Sequence, residues 1–178
     1  MRHSNCEAGN AAILRPLQGT NETNQAVEVI VRSFSTVAAE FNLTRENAPT
    51  HPAFFTADGL AQMVAKGAVW FGAFRDETLV GCVAVERSAR RDDVFYVEKL
   101  AVLPGHRHGG LGARLVEHAC NFCRDRGGRG VSIALMDEHK VLKQWYTELG
   151  FRQVRVERYP HLPFGVCFME KSLPERTP

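Results

Sequence analysis

The segment that most restricts what this chain can become is Leu100-Ala101-Val102-Leu103-Pro104-Gly105-His106-Arg107-His108-Gly109-Gly110-Leu111-Gly112-Ala113. An apolar strand end runs into a tight basic turn, and a helix opens directly behind it on glycines. The first N–H groups of a helix have no intrahelical acceptor, and the helix dipole places partial positive charge there, so that end stabilises an anion. Gly109, Gly110 and Gly112 let a ligand approach the backbone with no Cβ in the way, and Arg107 adds a permanent charge. The turn is suited to phosphate.

Two well-known phosphate patterns are absent. The P-loop requires a Gly-Lys-Ser or Gly-Lys-Thr step, which occurs nowhere in the chain. The dinucleotide fingerprint fails because Leu115 stands where its third glycine belongs and no early strand-turn-helix unit precedes it. What remains is Arg107-x-x-Gly110-x-Gly112 after an apolar strand.

That string resembles the pyrophosphate-binding signature (Q/R)-x-x-G-x-(G/A) of the GNAT superfamily, the acetyl-CoA-dependent N-acyltransferases. Val102 and Pro104 precede it as they often do in that family, and Trp145-Tyr146-Thr147-Glu148-Leu149-Gly150-Phe151 resembles the family's aromatic-Tyr-x-x-Leu-Gly-Phe segment, in the family's order. The resemblance implies acetyl-CoA as co-substrate and no metal. It implies that Leu100, Ala101 and Val102 contact the pantetheine through backbone groups. It further implies that Arg107, His108, Gly109, Gly110, Leu111, Gly112 and Ala113 contact the pyrophosphate. His108 and Gly109 replace the glycine and basic residue that many members carry after the first arginine, removing one cation. His139 stands where an asparagine is common, and would hydrogen-bond the cofactor differently or not at all.

Hydrophobic periodicity supplies the rest of the architecture. A strand is expected over residues 11–15, then a turn and cap over 19–23. An amphipathic helix follows from Asn24 through Val27, Ile30, Val31, Phe34, Val37, Ala38 and Phe41. Residues 42–52 read as a loop, and Thr56 as the cap of a second helix stopping at Gly67. Residues 68–74 and 78–86 read as a hairpin, 94–102 as a third long strand, and Leu115, Val116, Ala119 and Cys123 as the stripe of the helix behind the basic turn. A strand around Val131, Ile133 and Leu135, a helix over 140–149 and strands over 151–158 and 166–171 complete the chain; the ends, 1–10 and 174–178, read as frayed tails. This order matches what the resemblance implies: an α/β (α+β), GNAT-like mixed, mostly antiparallel sheet of about seven strands with helices on both faces. In that fold the strands 94–102 and 131–136 splay apart and admit the pantetheine.

The chain has 178 residues, enough for one domain with one core. Its net charge of +2 lacks the concentrated basic excess of a nucleic-acid face. With no apolar run of membrane-span length and no signal-type N-terminus, a soluble cytoplasmic protein is expected. Five cysteines, at 6, 82, 120, 123 and 167, are an odd, scattered set and read as reduced thiols. A homodimer would be in keeping with the family.

Acyl transfer from a thioester to an amine needs a polarised thioester, a free amine lone pair and a proton for the departing thiolate. An alkylamine of pKa about 10.4 is neutral at pH 7 at a cost of about 4.6 kcal/mol, so a base is useful. Glu98 is the candidate base or water-ordering carboxylate, because it interrupts an apolar run where burial would raise a carboxyl pKa. The plainer reading pairs it with Lys99 or Arg87. Tyr146, at the family's tyrosine position, is the candidate proton donor to the thiolate; the plainer reading is a tyrosine at helical spacing with Leu142 and Leu149. Cys120 and Cys123 read as packed thiols, and His106 and His108 as phosphate-side donors or solvated groups. His51, Phe54 and Phe55 either line an acceptor pocket or anchor a loop.

The expected activity is acetyl transfer from acetyl-CoA to a primary amine of a small molecule or peptide, by direct attack within a ternary complex. The competing expectation is a non-catalytic acyl-CoA sensor or regulatory module.

Overall fold

The computed structural model describes residues 11–175. Residues 1–10 and 176–178, most of the expected frayed ends, lie outside the described residues. Four helices and seven strands follow the anticipated order: β1 Ile13–Pro16, α1 Gly19–Glu40, α2 Ala57–Ala65, β2 Val69–Arg75, β3 Thr78–Arg87, β4 Val94–Val102, α3 Leu111–Arg124, β5 Gly130–Met136, α4 Lys140–Glu148, β6 Arg152–Arg158 and β7 Gly165–Ser172. Single 3-10 turns at Pro52–Phe54 and Pro104–His106 precede α2 and α3.

The strands form one sheet in the order β1-β2-β3-β4-β5-β7-β6. Every pair is antiparallel except β4 with β5. Strand alternation sends Phe71, Val83, Val85, Phe95 and Val97 into a core shared with Leu111, Leu115 and Val116 of α3 and Tyr146 of α4. Trp70, Cys82, Ala84 and Ala101 go the other way, against Ala26, Val29 and Ile30 of α1 and Leu60 of α2.

Helix α1 begins at Gly19, five residues earlier than its periodicity suggests. The carboxylate of Glu22 explains the difference: it accepts the Gln18 amide at 2.7 Å and the Arg15 guanidinium at 2.6 and 2.8 Å, serving the helix start from within. At α2 the cap is as expected, with Thr56 Oγ1 accepting the Gly59 amide at 3.2 Å.

Candidate functional site

The parallel pair β4–β5 is short. Val94, Phe95 and Tyr96 sit opposite Gly130, Val131 and Ser132, and no pairing continues beyond Tyr96. From Val97 onward the side of β4 towards β5 has no neighbouring strand, while β5 stays paired with β7 along its whole length. The two strands splay as anticipated, leaving a gap in the sheet.

A bulge shapes the β4 side of this gap. Ala84 faces Glu98 and Cys82 faces Ala101, so Lys99 and Leu100 stand opposite the single residue Val83. Lys99 has φ of +52°, a left-handed conformation uncommon for a residue with a side chain. Cross-strand partners share a face, and Ala84 belongs to the α1–α2 core, so Glu98 points to that layer. Lys99 joins it there, with Nζ 3.5 Å from Glu98 Oε2 and 5.5 Å from the Phe55 ring centre.

The expectation of a buried Glu98 does not hold. Its side chain is 40% exposed and ion-paired with Lys99. The carboxylate therefore lacks the dry setting that its apolar neighbours in sequence suggest.

Tyr146 approaches from the opposite layer. It is buried in the α3–α4 core, its ring edge-on to Trp145 at 4.8 Å and to Phe151 at 5.3 Å. Burial pushes its phenol pKa well above the ordinary value, so the hydroxyl keeps its proton. Glu98 and Tyr146 therefore belong to different faces of the sheet.

Past the end of β4 the chain is pinned by Leu103 N–H to Val80 O at 2.9 Å and His106 N–H to Leu103 O at 2.8 Å. The next stretch is different. Among the described residues the amides of residues 108–113 meet no acceptor, and the first α3 bond runs from Arg114 N–H to Gly110 O. Gly110 caps α3 at φ +75°, with nothing within 4 Å of the point a Cβ would occupy; Gly109 is equally open. His108, at φ +63°, helps to turn the backbone. Unpaired amides over open glycines fit a diphosphate.

Three anticipated cofactor contacts have partners within the protein. Arg107 does not extend into the turn: Nε donates to Val102 O at 3.0 Å, Nη1 to Thr36 Oγ1 at 3.1 Å and Nη2 to Ser33 O at 2.7 Å. The Val102 carbonyl is thereby occupied. Gly112 backs onto the Trp145 ring, 3.4 Å from its Cβ position, so its missing side chain also serves helix packing. His139 caps α4, its Nδ1 accepting the Leu142 amide at 3.4 Å, and its ring meets Phe41 at 5.3 Å.

The end of β5 is lined by aromatic residues. Phe34, Phe41, Phe54 and Phe164 cluster with Met136 at the end of β5. His51 is buried between Phe34 and Phe54, with Nδ1 accepting the Ala53 amide at 3.2 Å. Burial, with the nearby Lys99 charge, lowers its pKa to about 4, so it is neutral at pH 7. Of the two alternatives expected of His51, Phe54 and Phe55, the contacts describe the loop anchor: His51 packs against Phe34 and Phe54, and Phe55 against Trp70 and the Lys99 ammonium. Lys99 and Thr36 have no signal in the sequence, because neither a bulge nor a helix partner leaves a periodic trace.

Comparison with known proteins agrees with this geometry. The family model described as the acetyltransferase (GNAT) family matches residues 34–151. The chain belongs to the GNAT family. A GNAT fold is also what its structural relatives share: PaiA N-acetyltransferase from Thermoplasma acidophilum, solved with coenzyme A, superposes with a TM-score of 0.74 at 18% identity, covering 91% of this chain and 99% of that one. A GNAT acetyltransferase from Staphylococcus aureus gives 0.67 at 18% identity, covering 91% and 100%. By sequence, "Probable N-acetyltransferase camello" of Xenopus tropicalis is 27% identical over 100 residues, 56% of this chain and 46% of that protein. Streptothricin acetyltransferase of Streptomyces lavendulae is 33% identical over 76 residues, 43% of this chain and 40% of that protein. The chain thus matches less than half the length of each of these two curated relatives. No helix among the described residues is long and apolar enough to cross a membrane, and no cluster there has a metal-ligand set.

Proposed function

We propose that this GNAT protein transfers an acetyl group from acetyl-CoA to a primary amine of a small molecule or peptide, by direct attack within a ternary complex. The observation that carries this reading is the parting of β4 from β5 beyond Tyr96, together with the unpaired amides of residues 108–113 that follow β4.

The diphosphate would rest on those amides and the pantetheine along the free side of β4. The amine nitrogen attacks the thioester carbonyl carbon, the C–S bond breaks, and the thiolate takes a proton. Tyr146 is the donor. Transfer from a phenol with a raised pKa to a thiolate of pKa about 8.5 is uphill in water, but the same dry surroundings raise the thiol's pKa too, bringing the two closer. Glu98, partly exposed and paired with Lys99, is suited to ordering water that carries the amine's proton to solvent. Neither role requires an acyl-enzyme.

A thiol-release assay with acetyl-CoA across a panel of amines tests the proposal. Turnover with at least one primary amine is expected. CoA binding without turnover on any acceptor would instead describe a sensor.

A further inference from the structure

We propose that Arg107 is a positioning residue whose guanidinium ties helix α1 to the cofactor turn, so that a ligand in the turn also steadies the acceptor wall; this rests on the acetyltransferase reading above. Two of the three hydrogen bonds of Arg107 reach α1, 71 and 74 residues away in the chain, and the third holds the end of β4. The Thr36 hydroxyl donates in turn to the Ser33 carbonyl at 2.9 Å, closing a small network on one turn of α1. Phe34 and Val37 flank that turn, and both pack in the aromatic acceptor-side cluster. Fixing Ser33 and Thr36 therefore fixes Phe34, whose ring meets His51.

No carboxylate pairs with Arg107 among the described residues, so ion pairing does not account for its placement. Burial lowers its pKa somewhat, in keeping with a guanidinium committed to neutral acceptors. Two of those acceptors are main-chain carbonyls. Only a planar fork spans all three directions; a lysine ammonium is a point donor that reaches one or two.

The test compares the parent chain with Arg107→Lys in three measurements: CoA affinity by calorimetry, KM for the best amine of the panel, and hydrogen exchange with and without CoA. In the parent, CoA should slow exchange in the turn and also in residues 31–40 of α1. In Arg107→Lys the turn should still be protected and the α1 effect lost, with the amine KM raised about fivefold or more, the lower end of ordinary coupling between sites. CoA affinity should not weaken, because the turn no longer has to order α1. Weakened CoA affinity with an unchanged amine KM would overturn the proposal and make Arg107 a phosphate ligand. Persistent α1 protection in the variant would overturn it as well. A parent chain that binds no CoA would refute the acetyltransferase reading itself, and with it this one. Thr36→Val, at an exposed position, guards against a misfolded lysine variant: it should reduce the α1 response while leaving the turn protected, and an unaltered α1 response would count against the tether.

Discussion

The ring of Tyr146 stands edge-on to that of Phe151, centroids 5.3 Å apart at 76°. The contact belongs to the carbons, so removing the hydroxyl leaves the packing in place. Tyr146→Phe should therefore fold normally and bind CoA as the parent does, yet turn over about 10²- to 10⁴-fold more slowly if the phenol is the acid. Thiol release measures it. Unchanged turnover would reject the assignment.

Gly110 supplies both the left-handed backbone and the open floor of the turn. Gly110→Asp adds a like charge against a diphosphate, roughly 1–4 kcal/mol for one pair at contact range, a loss of about fivefold or more in CoA affinity. Gly110→Ala incurs only the strain of positive φ, about 1–2 kcal/mol, and separates conformation from charge. Calorimetry on both variants checks this, and equal affinity for the aspartate variant would move the diphosphate elsewhere.

Folding should become less favourable in mild acid through His51. Its pKa in the folded chain is about 4, against about 6.5 when unfolded. The unfolded chain therefore binds more protons across that interval, and stability falls as pH drops from about 6.5 towards 4, by at most about 3 kcal/mol. Urea unfolding at about pH 7 and pH 4.5 measures the slope. His51→Gln should flatten it; an identical slope would place the titrating group elsewhere.

Gly128 ends the α3 region where no side chain fits. A Cβ there would lie 2.8 Å from the Cys123 carbonyl oxygen and 2.8 Å from the Phe95 ring. Gly128→Ala should cost about 1–3 kcal/mol through forced displacement, seen as a lower urea midpoint with unchanged CoA affinity. A stability equal to the parent's would show that this corner yields freely.

Much of this molecule is legible in its sequence, and the gaps in that reading have physical causes. The bounds of β4 at Val94 and Val102 are plain because its apolar run stops at charged and proline-containing turns. The basic turn and the stripe of α3 are equally plain, since local chemistry dictates both. The start of α1 is hidden because Gly19 and its polar neighbours mimic a turn, while Glu22 secures the helix through contacts that periodicity does not register. The Lys99 bulge shifts the register of β4 against β3 without altering composition. On local grounds Arg107 reads as a phosphate ligand, yet its destination is a carbonyl 74 residues away, which only the packed chain defines. Glu98 looks dry because its neighbours are apolar, yet its side chain is partly exposed and paired with Lys99, which the local sequence does not register.

The parting of β4 from β5 leaves the sheet's backbone ladder interrupted, with the two halves otherwise joined through the side-chain core. The half-sheet β1–β4 meets the half-sheet β5–β7 through backbone ladders only at Val94–Gly130, Phe95–Val131 and Tyr96–Ser132. An extended molecule lodged between them acts as a splint, bracing two leaves hinged at one end. Heat tolerance should then track occupancy, with the melting temperature climbing as CoA concentration rises past its dissociation constant.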